Sequence, residues 1–106
     1  MFFQRKRKEN SPAYRLEQAK KLSGAHLHYV TEKTEDDELV LGKGGCVALN
    51  GGELIVLCAD QIVYRGLARE TEISDLLSGN GVVLRGADSE TGRERTLILH
   101  FSYHRK

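Results

Sequence analysis

The sequence predicts a mainly β fold: a small antiparallel β-barrel or sandwich of six to eight short strands, preceded by one N-terminal α-helix. Three observations lead there. Helical spacing of apolar residues is confined to one stretch, about residues 12–23. From residue 25 onward the period becomes two, in short runs separated by Gly, Asn and Asp clusters. Strands this short leave a broad open sheet with bare edges, so closure or dimerisation is expected.

Ser11-Pro12 opens the helix: the serine side chain accepts from a free first-turn N–H, and proline suits the first helical position. Ala13, Leu16, Ala19 and Leu22 form the apolar stripe, Lys20 and Lys21 face the negative end of the dipole, and Gly24 ends the helix. Residues 25–31 alternate, and residues 32–38 read as an acidic loop. Leu39-Val40-Leu41 is a short strand that Gly42-Lys43-Gly44-Gly45 interrupts, with a second strand over Cys46–Leu49. Asn50-Gly51-Gly52 signals a hairpin. Residues 53–59 are apolar on both faces, as in a central strand covered on both sides. A strand from Gln61 to Gly66 extends toward Glu70; residues 73–77 read equally as strand or helical turn. Strands over 82–87 and 95–103 flank a turn at Asp88–Gly92, and the last strand alternates most clearly, with Leu97, Leu99, Phe101 and Tyr103 on one face.

The length fits one domain. Residues 1–24 carry seven Lys/Arg and two Glu, whereas residues 25–106 carry nine Lys/Arg and thirteen Asp/Glu. A disordered basic arm (residues 1–10) thus precedes an acidic β-rich domain (residues 11–106). No apolar core follows the N-terminal charges, as a signal peptide requires, and no apolar run reaches the length of a membrane span. Cys46 and Cys58 read as reduced thiols of a cytoplasmic protein; a disulfide between them requires that their strands pair.

Residues 62–71 and 82–91 repeat one pattern, Ile/Val-Val-x-Arg-Gly followed by a polar turn ending in Glu-Thr. Two readings follow. Arg65 and Arg85 sit side by side on neighbouring strands as a paired cationic site, or the pattern is a structural device of apolar residues and turning glycines. Strict alternation puts each Arg on the face of Val63 or Val83. There it is either half-buried beside acidic partners or lifted out by a bulge at Gly66 or Gly86.

The residues offer little chemistry. His26 and His28 share a strand face, as do His100 and His104, and pairing of the two strands would bring three histidines together. The tight Cys or carboxylate spacing of a zinc site is missing, so no metal or other cofactor is expected. Cys58 lies in the most apolar strand, a setting that suppresses thiolate reactivity. The Gly42–Cys46 run lacks the Gly-Lys-Ser/Thr ending of a phosphate-binding loop.

With no acid–base–nucleophile set, the chain reads as a non-enzymatic binding or assembly module, self-associating through a sheet edge or the helix. The alternative is binding of single-stranded RNA or another nucleic acid. Its contacts would be the arm, Phe2, Phe3, Arg5, Lys6, Arg7 and Lys8, together with a β-face platform of Tyr64, Arg65 and Arg85. The same arm suits an anionic membrane surface. No motif names a ligand or a biological process.

Overall fold

The computed structural model describes residues 11–101. Helix α1 (Pro12–Leu22) is followed by β1 (His26–Lys33), β2 (Glu38–Asn50), β3 (Glu53–Cys58) and β4 (Gln61–Leu67). A 3₁₀ turn (Ala68–Glu70) then leads to β5 (Glu72–Asp75), β6 (Gly81–Ala87) and β7 (Glu94–Phe101). The helix begins as its residues require: Ser11 Oγ accepts from Tyr14 N at 3.1 Å, and Pro12 occupies the first turn. Gly24, with φ +92°, follows its end.

All seven strands form one antiparallel sheet in the order β4-β3-β2-β1-β7-β6-β5. The two edge strands, β4 and β5, are consecutive in sequence and separated only by residues 68–71. That connection dictates the shape. Flat strands spaced at about 4.8 Å would hold the two edges about 29 Å apart. The link from Leu67 to Glu72 reaches at most about 19 Å when fully stretched. The sheet therefore curls until its edges approach, giving a sandwich-like globule that is not closed into a barrel.

Inside the curl lie Leu27, Val30, Val47, Leu54, Val56, Cys58, Tyr64, Val82, Leu84, Leu97 and Leu99, all buried. Ala19 and Leu22 of α1 and Ala68 of the 3₁₀ turn complete this core. Apolar burial of this extent is the main force holding the domain together.

Three features depart from the sequence reading. The glycine run does not break the chain into two strands: β2 passes straight through it. Gly42 and Gly45 serve close approach, since a Cβ at Gly42 would stand 2.8 Å from Cys58 Cβ and one at Gly45 would overlap Leu57 O. The strand after Gln61 ends at Leu67 and tightens into the 3₁₀ turn instead of running on to Glu70, while the segment after it takes the strand alternative as the edge strand Glu72–Asp75. β3 is flanked by two strands, yet its outward residues Ile55 and Leu57 are only half-buried.

Candidate functional site

The seam where the curled sheet meets itself is built from polar groups. Arg95 of β7 shares the inner face of Leu97 and Leu99 and reaches across the interior. Its Nε and Nη2 donate to Glu32 Oε2 and Oε1 at 2.9 and 2.8 Å, a two-bond fork. Its Nη1 donates to Asp88 Oδ2 at 2.6 Å and to the Val63 carbonyl at 2.8 Å. One guanidinium thus joins β1, the β6–β7 turn and β4. The hydrogen bond with Glu32 is the main influence holding Arg95 above its ordinary pKa, against burial and with help from Asp88. The same bond holds the Glu32 carboxyl below its ordinary range, although burial works the other way. Asp88 is tied further, its Oδ1 accepting from Glu90 N at 2.8 Å. Two carboxylates and one carbonyl take four hydrogen bonds from this one cation, so the cluster is a clamp.

Tyr64 explains the repeated motif. Its ring is buried and its hydroxyl lies 3.0 Å from Thr71 Oγ1, which donates to Leu67 O at 2.8 Å. A Cβ at Gly66 or at Gly86 would overlap the Tyr64 hydroxyl, and one at Gly86 would also stand 2.9 Å from Thr71 Oγ1. The two Arg-Gly glycines are the space in which the phenol sits. Burial pushes the phenol pKa up. Tyr64 is therefore a core residue, and its place in an exposed stacking platform is corrected: it alternates with outward Arg65 and points into the curl.

Arg65 and Arg85 do face outward, but not side by side. β4 and β6 are not hydrogen-bonded neighbours. Arg65 lies at ion-pair distance from Glu53, 3.5 Å, and Glu90, 3.8 Å, and Arg85 lies 3.8 Å from Glu72. The 3.5 Å contact from Arg65 Nε lacks hydrogen-bond geometry, so that nitrogen is a weakly held donor. The arm residues Phe2, Phe3, Arg5, Lys6, Arg7 and Lys8 lie outside the described residues, as does His104.

The strands of His26/His28 and His100 do pair. Tyr29 stacks on His100 with centroids 4.1 Å apart, and His28 meets Tyr29 edge-on at 5.1 Å. Among the described residues, no group of three or more His, Cys, Asp or Glu is placed to hold a metal ion. Cys46 and Cys58 lie on paired strands, but Cys46 stands opposite Leu57 and Cys58 opposite Gly45, so the thiols point to opposite faces and both are free. No described helix is long and apolar enough to cross a membrane.

The sheet's edges are treated unequally. Along β4, the Val63, Arg65 and Leu67 carbonyls accept from Arg95 Nη1, Ser89 N (2.7 Å) and Thr71 Oγ1. β5 is four residues long and acidic at both ends, a short and charged edge. β2 is different. Its residues 38–46 pair with β1, whereas β3 covers it only from Gly45 to Asn50. Beyond that, Gly44 O accepts from Ala59 N. Among the described residues, the segment Glu38-Leu39-Val40-Leu41-Gly42-Lys43 therefore has a strand on one side only, and Leu39 and Val40 are 51% and 60% exposed. An apolar edge with unpaired backbone groups is a template for another strand. The sequence hides this edge, because Gly42-Lys43-Gly44-Gly45 reads as a break after a strand of three residues.

No protein-family model, no curated protein and no solved structure matches this chain.

Proposed function

We propose that the protein is a non-enzymatic assembly module that self-associates through a sheet edge. One observation carries this reading: among the described residues, the half of β2 at Glu38–Lys43 is an uncovered, apolar strand edge, whereas the other edges are capped or short. Edges of this kind are normally blunted by charge, proline or a cover, because they recruit further strands. A second copy of the chain presents the same unpaired groups, and a two-fold axis lets both edges be satisfied at once. The helix is a poorer surface, since its buried residues Ala19 and Leu22 already pack on the core. A six-residue edge forms a small interface, so association is weak, with a Kd on the order of 10–100 μM.

Sedimentation or light scattering across a concentration series tests the reading. A mass rising from monomer to dimer supports it, with the rise abolished by Val40→Lys. A strict monomer at millimolar concentration refutes it.

A further inference from the structure

Resting on that reading, we infer the register of the assembly: two β2 edges pair antiparallel, with Glu38 of one copy opposite Lys43 of the other. Three features of the strand converge on it.

The first is obstruction. β3 occupies the edge of β2 from Gly45 onward, and the turn at Ala59 takes the Gly44 carbonyl. An incoming strand can extend only as far as Lys43 before it meets that turn. Registers that slide Glu38 to Gly45 or beyond collide with β3. Sliding the other way shortens the ladder below six pairs.

The second is facing. Tyr29, Thr31 and Lys33 alternate along one face of β1, and the β2 residues opposite them are Lys43, Val40 and Glu38. Glu38 and Lys43 therefore share a face despite their odd spacing, because the irregularity between Val30 and Thr31 gives β2 an extra residue at Leu41. Leu39 and Gly42, opposite Glu32 and Val30, share the other face. Residues directly across an antiparallel pair must lie on the same face. Pairing 38 with 43 and 39 with 42 meets that condition. A slip by one residue sets Leu39 against Lys43, which are on opposite faces.

The third is charge. The segment runs from a carboxylate to an ammonium, and both Glu38 and Lys43 are exposed. In this register the two-fold axis creates two Glu–Lys pairs, one at each end of the ladder, around the apolar Leu39, Val40 and Leu41. Alignments that oppose Glu38 with its own copy, or Lys43 with its own copy, set like charges together.

The test is charge reversal read by sedimentation equilibrium, with circular dichroism confirming that each exposed-site variant stays folded. Glu38→Lys and Lys43→Glu singly set like charges across both ends and weaken the dimer about tenfold each. The double variant restores opposite pairs and returns the dimer to within about threefold of wild type. Single reversals without effect, or a double variant as weak as the singles, overturn the register while leaving self-association standing. A wild-type chain that never dimerises overturns the self-association reading and the register with it.

Discussion

Replacing Arg95 with alanine removes four hydrogen bonds at once: two to Glu32, one to Asp88 and one to the Val63 carbonyl. A bond to a charged group contributes about 1.5–3 kcal/mol, but simple addition overstates the loss. The Glu32 side chain is 21% exposed and regains water when its partner leaves. The Asp88 side chain is 8% exposed and regains little, keeping only its bond from Glu90 N. Stranding a buried charge costs about 3–5 kcal/mol, and the partial exposure of this cluster places the loss at about 3 kcal/mol. Urea unfolding followed by circular dichroism reads it as a lower midpoint at unchanged slope, and thermal unfolding as a drop of about 12 °C. Adding Asp88→Asn to the Arg95→Ala background removes the stranded charge and regains about 1–2 kcal/mol. A loss below about 1 kcal/mol, or no recovery on adding Asp88→Asn, refutes the clamp.

Three further outcomes follow from the same geometry. Tyr64→Phe costs about 1 kcal/mol and Gly86→Ala about 1–3 kcal/mol. The double variant costs at least about 1 kcal/mol less than their sum, because deleting the hydroxyl clears the space the new methyl needs; additive values in urea unfolding count against a shared pocket. The depressed Glu32 pKa makes its contribution to stability complete above the ordinary value of 4.5 and lost as pH falls through the lower folded value. Unfolding midpoints between pH 6 and pH 3 therefore fall more steeply for the wild type than for Glu32→Gln, and equal slopes dismiss the effect. Burial pushes the Cys58 thiol up, whereas Cys46 is half-exposed. A thiol reagent at pH 7.5 is expected to label Cys46 at least about tenfold faster than Cys58, and comparable rates would mean that the core opens readily.

The helix and its cap were legible because they depend on local chemistry: Ser11, Pro12 and Gly24 act on their own neighbours. The last strand, read over 95–103 and described to Phe101, was legible from alternation, and the same parity, not applied to Arg95, sets it on the inner face with Leu97 and Leu99. An arginine on a core face needs buried carboxylates, which was the available signal for the clamp; its partners, Glu32 and Asp88, are joined to it only by sheet order. Tyr64 was misread because the motif drew attention to Arg65, although alternation sets the two on opposite faces, so that an outward Arg65 requires an inward ring. The glycines of β2 looked like breaks, since the strands that crowd Gly42 and Gly45 cannot be read from their neighbours. The open edge was illegible for a related reason: how much of β2 is covered depends on where β3 begins to pair.

Every hydrogen-bonded strand pair but one joins strands consecutive in sequence. The exception joins β1 to β7, setting Leu27 opposite Phe101. The chain is thus two up-and-down meanders, β1–β4 and β5–β7, each of which zips through tight hairpins on a microsecond scale. Joining them closes a loop most of the domain long, and such non-local pairing is what slows β proteins. Arg95 belongs to the second meander, Glu32 and Val63 to the first. The Arg95–Asp88 bond is local to the second meander, but the bonds to Glu32 and Val63 form only after the two have met, so loss of those bonds is expected to appear as faster unfolding with the folding rate nearly unchanged.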